Sequence, residues 1–169
     1  MHVRLITPAP PRSRKGNRLT AVSWARVLRG LGHRVSVAEH YEGEACDLLV
    51  ALHARRSHAA VAAYRRQHPT GPLVVVMTGT DLYVDLPDDP ATLESIALAD
   101  RLVVLQDEAP RVLPPEAHAK TRVIVQAANP VRRLPPRRRT FDVAVVGHLR
   151  AVKDPLLTSA AARLLPESS

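Results

Sequence analysis

The chain has 169 residues, 46% of them apolar, enough to bury the core of one domain, or of one domain with a partial second. Its single cysteine, Cys46, excludes an internal disulfide and a cysteine-built zinc site. The net charge of +8, from 24 basic and 16 acidic residues, fits a nucleic-acid binder, but aromatics make up only 3% of the chain, so stacking groups are scarce and nucleic acid is not the expected partner.

A short apolar run at residues 3–6 opens the chain as a first strand. Residues 7–17 form a loop that is proline-rich, then basic, then a Gly16-Asn17 pair. The next 14 residues, 18–31, carry Trp24, Val27, Leu28 and Leu31 at the spacing of one buried helix face. Asn17 is the expected N-cap and Gly32 the residue that stops the helix. A second strand is expected over 34–38 and a third over 47–52. The third is nearly all apolar, as in a parallel sheet covered on both faces. A helix over 57–67 is broken by Pro69 and Pro72. Residues 73–77 are a β-branched fourth strand, followed by the turn Thr78-Gly79-Thr80-Asp81 and a polar, proline-containing loop over 82–89. A short helix over 90–99, a fifth strand over 100–105, a helical turn over 107–113 and a short sixth strand over 122–125 complete the series.

Residues 129–140 change character, with Pro130, Pro135 and Pro136 among five arginines. They read as a linker. A seventh strand is expected over 141–146, a loop over 147–153 and a helix over 155–165. Alternation of strands and helices predicts an α/β fold with a doubly wound, mainly parallel sheet. The expected domains are 1–129, a linker over 130–140, and the start of a second domain over 141–169. One strand–helix unit cannot cover its own apolar face. It must pack on the first domain, on a missing piece, or on a second copy by self-association through 141–165. No apolar run reaches membrane-spanning length, and prolines and charges between 8 and 15 break any signal-peptide pattern, so a cytoplasmic protein without a membrane partner is expected.

In an open parallel sheet, ligands bind beyond the C-terminal strand ends. The residues expected there are Arg12, Arg14, Lys15, Gly16, Asn17 and Arg18 after the first strand. His53, Arg55 and Arg56 follow the third. Thr78, Gly79, Thr80 and Asp81 follow the fourth, Gln106 the fifth, and Gly147, His148, Arg150 and Lys153 the seventh. Cations, glycines and hydroxyls on one rim have the chemistry of a phosphate or diphosphate site. The dinucleotide G-x-G-x-x-G, the P-loop and the G-x-S-x-G elbow are all absent. Nothing in the sequence requires a metal or a cofactor.

Four stretches occur in a telling order. They are Gly16-Asn17 with the run 28–35, then Thr78-Gly79-Thr80-Asp81, then 99–104, then 146–155. In this order the chain resembles the family-4 group of GT-B glycosyltransferases. Within that group, the runs 5–11 and 47–60 look most like the selenosugar synthases of selenoneine biosynthesis. The resemblance covers nearly the whole chain. It implies two Rossmann-like domains facing a cleft, the first holding the acceptor and the second the sugar nucleotide. It implies a hexosyltransferase that joins UDP-N-acetylglucosamine and selenophosphate, releasing UDP and phosphate. The family loop reads Gly-Arg-Leu with a lysine four residues on; here Gly147-His148-Leu149 is followed by Lys153, and Arg150 stands in for the arginine. The implied donor-diphosphate group is Gly16, Asn17, His148, Arg150 and Lys153. The acceptor group is Arg12, Lys15, Arg18, His53, Arg55, Arg56, Thr78, Gly79, Thr80 and Asp81. The family's paired glutamates and its uracil and ribose contacts have no counterpart within residue 169. By resemblance this is the N-terminal part of an enzyme, expected to be inactive alone. The rival expectations are a family-4-like transferase with another acceptor, or a non-catalytic basic module that binds anions or nucleic acid through residues 132–139.

Overall fold

The computed structural model describes residues 1–128, 132, 135, 143–147, 149 and 151–165, with Val152 by its backbone alone. The chain divides into two compact units, Met1–Ala128 and Asn129–Ser169.

The first unit holds β1 (His2–Ile6), α1 (Gly16–Gly30), β2 (Arg34–Ala38), β3 (Leu48–Leu52), α2 (His58–Gln67), β4 (Leu73–Met77), α3 (Thr80–Tyr83), α4 (Pro90–Leu98), β5 (Arg101–Val104) and β6 (Thr121–Val123). Two 3-10 turns, Ala109–Val112 and Pro115–Lys120, join β5 to β6. The six strands form one sheet in the order β2-β1-β3-β4-β5-β6, every pair parallel. This is the α/β, Rossmann-like arrangement expected. The central strands β3 and β4 are apolar throughout because helices or connections cover both faces. The edge strands β2 and β6 carry exposed Arg34 and Arg122 instead, as edges open to water do.

Each face of the sheet has its own core. On one, Ile6, Leu49, Val75, Leu102 and Val104 pack under α2, α4 and the 3-10 turns, with Tyr64, Val61 and Ile96 fully or almost fully buried. On the other, Val3, Leu5, Val35 and Val50 lie beneath Ala21 and Ala25 of α1. The buried face of α1 differs from the expected one. Its inward residues are Thr20, Ala21 and Ala25, whereas Val27 and Leu31 are 57% and 68% exposed. Small side chains let the helix backbone approach the sheet closely, so the large apolar residues fall to the flanks and the outer side. Trp24 and Leu28 are only partly buried at the margin.

The helix also starts earlier than expected. Lys15, extended at φ −71° and ψ 149°, is the N-cap, and Gly16 and Asn17 lie inside the first turn. Its end is as expected. Gly32 takes φ 85°, its N–H donates to Arg29 O at 3.0 Å, and the His33 N–H donates to Leu28 O at 3.1 Å. These two bonds form a Schellman cap, which the positive φ makes suited to glycine. Residues 80–83, expected as the end of a turn and the start of a loop, form the short helix α3.

In the second unit, the expected seventh strand does not form among its described residues. Residues 143–147 have no strand or bridge pairing, and 141 and 142 lie outside the described residues. A lone strand has no neighbour to take up its N–H and C=O groups. The expected helix is shorter, α5 (Leu157–Ala162), preceded by a 3-10 turn at Ala151–Lys153. Among the described residues, no helix is long and apolar enough to cross a membrane.

Candidate functional site

The strand order dictates where a crevice opens. From β1 the chain leaves through α1 on one face and moves outward to β2. From β3 it leaves through α2 on the opposite face and moves the other way to β4. The two helices therefore diverge at the C-terminal ends of β1 and β3. That switch point is where open parallel sheets take their ligands. All strands being parallel, Lys15 and Gly16 after β1, Arg55 after β3 and Gly79 after β4 share this one rim.

On the β1 side stands the start of α1. Lys15 makes no side-chain cap bond, so the first-turn N–H groups of Gly16 and Asn17 face outward with the positive end of the helix dipole. A Cβ at Gly16 would meet nothing within 4 Å, so there is open space over the helix start. Thr7, just past β1, shares the face of Val3 and Leu5, the face α1 covers. It is fully buried, yet its hydroxyl finds no hydrogen-bond partner among the described residues. Arg12 holds a left-handed φ of 67° in the loop. Arg12, Lys15, Arg18 and, across the crevice, Arg56 make no ion pair among the described residues.

On the β3 side, the turn after the strand is strapped in place. The Ala54 N–H donates to Asp81 Oδ2 at 2.9 Å. The Ser57 hydroxyl donates to Leu52 O at 2.7 Å, and the Ser95 hydroxyl to Ala54 O at 2.9 Å. Asp81, wholly buried, also accepts the N–H groups of Thr78 at 2.9 Å and Gly79 at 2.8 Å on its Oδ1. One carboxylate thus ties the β4 exit to the β3 exit. It was expected among the anion-binding residues, but a buried carboxylate repels an anion; its work is structural. Gly79 takes φ 130°, a region essentially closed to other residues.

His53 is buried, with φ 72°. Its Nε2 lies 2.9 Å from Thr80 Oγ1, and its Nδ1 receives the Arg56 N–H at 3.4 Å. Asp81 Oδ2 is 3.9 Å from Nδ1, beyond hydrogen-bond reach. Burial holds the imidazole pKa below its ordinary value, against the pull of Asp81, so the ring is neutral.

Arg55 is the expected site residue whose role changes most. Its guanidinium meets Asp85 Oδ1 at 3.0 Å and Asp89 Oδ1 at 3.2 Å. Two carboxylates answer one cation, which leaves little charge for a ligand. Asp89 also caps α4, accepting the Thr92 N–H at 2.8 Å. Thr78 and Gly79 sit on the rim as expected. Lys153 is exposed in the second unit, where it ends a 3-10 turn. His148 and Arg150 lie outside the described residues, as do Arg133, Arg137, Arg138 and Arg139 of the basic segment.

Sequence reasoning missed Thr7, although a threonine ending an apolar strand just before three prolines is a visible signal. It also missed Asp85 and Asp89, which carry no local mark of their pairing. Among the described residues no group of His, Cys, Asp and Glu has the arrangement of a metal site. No protein-family model matches the chain, and no curated protein matches its sequence.

Proposed function

We propose that the chain supplies the acceptor side of a GT-B-type, UDP-sugar-dependent glycosyltransferase, with selenophosphate as acceptor and UDP-N-acetylglucosamine as donor. One observation carries the reading: the uncapped start of α1, with Gly16 open above it, faces the switch-point crevice amid the cations Arg12, Lys15, Arg18 and Arg56, none of them ion-paired among the described residues. The narrower choice of acceptor and donor rests on the resemblance of the runs 5–11, 47–60 and 146–155.

The chemistry suits such a rim. Selenophosphate is already an anion and a strong nucleophile. Its selenium attacks the anomeric carbon, the bond to UDP breaks, and the phosphate is lost from the selenosugar to water. No general base is needed. Catalysis then consists of holding two anions side by side with their charge neutralised. Lys15, Arg18 and Arg56 hold the acceptor. The helix start at Gly16 and Asn17 approaches the donor diphosphate.

Calorimetric titration of the chain with selenophosphate tests the acceptor half. Binding is expected, weakened about tenfold or more in the double variant Lys15→Ala, Arg56→Ala. Absence of binding, or equal binding by the variant, refutes it. Mixed with UDP-N-acetylglucosamine and selenophosphate, the 169 residues alone are expected to release no UDP. Turnover would overturn the assignment of the donor contacts to a second domain.

A further inference from the structure

We propose that His53 is a positioning residue that turns the Thr80 hydroxyl into a hydrogen-bond donor aimed at a ligand oxyanion. The inference rests on the anion-site reading of the rim and names one group within it. It begins with the tautomer. The ring is neutral, and Nδ1 receives the backbone N–H of Arg56, so Nδ1 is the bare nitrogen. The proton is then on Nε2, and Nε2–H donates to Thr80 Oγ1 across 2.9 Å. That bond occupies a lone pair of the hydroxyl and leaves its own O–H unspent.

No acceptor for that O–H is present among the described residues, although Thr80 is only half-exposed. The Asp81 carboxylate, its neighbour, is engaged by the N–H groups of Ala54, Thr78 and Gly79. Thr80 therefore offers a donor on the β4 side of the crevice, facing the same rim as Lys15 and Arg56. The cost of holding His53 there is visible in its backbone. A histidine at φ 72° sits in the left-handed region, which only glycine enters freely. The turn alone would take asparagine as readily as histidine; what the imidazole adds is a ring nitrogen that reaches Thr80 Oγ1.

The groups facing the ring are Asp81, Asp85, Arg55, Arg56 and Thr80. Arg55 and Asp85 pair with each other, and Asp81 is held by backbone donors. Among the described residues, the directed contact of Nε2 is with Thr80 alone.

Two substitutions separate positioning from structure. His53→Gln keeps a donor near the Nε2 position and loses the acceptor at Nδ1. His53→Asn keeps the acceptor near Nδ1 and loses the donor. Inorganic phosphate, titrated into the full chain by calorimetry, is the probe. Binding is expected to be kept within about threefold in His53→Gln and Thr80→Ser, and to fall about tenfold or more in His53→Asn and Thr80→Val. The double variant His53→Asn, Thr80→Val should bind no worse than Thr80→Val alone, because the two residues act through one hydrogen bond. A purely structural role predicts the reverse order for Gln and Asn and overturns the inference. So does unchanged binding in Thr80→Val. Wild-type protein that binds no phosphate sinks the anion-site reading and this inference with it. Should His53→Gln fail to fold, nitrogen-15 spectra of the wild-type imidazole decide. A proton on Nε2 supports the inference, and a proton on Nδ1 overturns it.

Discussion

Replacing Asp81 by alanine should cost more stability than any other single change at the rim. The side chain is wholly buried and accepts three backbone N–H groups, from Ala54, Thr78 and Gly79, at 2.8–2.9 Å. A hydrogen bond to a charged group is worth about 1.5–3 kcal/mol net. The Ala54 donor is fully buried and loses that in full, whereas the half-exposed Thr78 and Gly79 donors recover part of it from water. The sum is about 3–5 kcal/mol, which places Asp81→Ala among the most damaging point substitutions. Asp81→Asn is the instructive intermediate. Its oxygen can serve Thr78 and Gly79 at the Oδ1 position, but its amide then turns two hydrogens toward the Ala54 N–H. Donor facing donor should cost about 2–3 kcal/mol. In urea denaturation with an m-value of about 2 kcal/mol/M, the midpoint should fall by roughly 1.5–2.5 M for alanine and about 1–1.5 M for asparagine. A loss below about 1 kcal/mol in Asp81→Ala would refute the claim that this carboxylate joins the exits of β3 and β4.

His53 makes stability depend on pH with a definite sign. Its pKa is lowered in the fold, first by burial, so below the ordinary value near 6.5 the unfolded chain binds a proton that the folded chain does not. Stability is therefore complete above that pH and is lost as pH falls toward the lowered value, where Nδ1–H comes to face the Arg56 N–H. Urea midpoints at pH 7.5 and 5.5 should converge more for His53→Asn than for wild type; equal losses in both would remove His53 as the cause. Gly79→Ala tests backbone strain alone. A Cβ there meets nothing within 4 Å, so the cost should be the price of φ 130°, about 1–3 kcal/mol, read as a lower melting temperature. No measurable change would mean that the turn relaxes freely.

What could be read from the letters, and what could not, divides along physical lines. β2 and β4 fall where expected to the residue, because an apolar or β-branched run bounded by turn residues admits one solution in a parallel sheet. The start of α1 was misplaced by two residues because Asn17 is the better capping side chain, whereas the chain uses the extended backbone of Lys15 and leaves the helix end bare. Its buried face was misread for a different reason. A periodicity argument weights Trp24, Val27 and Leu31 by hydrophobicity, but a helix that lies close on a sheet selects for smallness, and Ala21 and Ala25 win. The unit after residue 128 shows the limit of local pattern. A β-branched run such as 143–146 specifies a strand only when another strand is there to receive it.

The rim shows the same division at the level of charge. For the residues after β1, β3 and β4 its membership was legible, since a parallel sheet sends every strand end to one edge whatever the side chains do; Gly147 and Lys153, expected there after a seventh strand, follow no strand among the described residues. Its electrostatics was not, because ion pairing depends on distances between residues far apart in the chain. Arg55 and Arg56 are adjacent and alike in the sequence. In the fold, one turns to Asp85 and Asp89, some 30 residues on, and its charge is answered; the other is exposed and makes no ion pair among the described residues. A count of basic residues therefore overstates the field available to a ligand. The cations that remain free among the described rim residues, Arg12, Lys15, Arg18 and Arg56, flank the uncapped start of α1 and the neutral His53–Thr80 pair. That combination favours a ligand with a compact, acceptor-rich anionic end over a long polyanion, which would need an extended track of such charges.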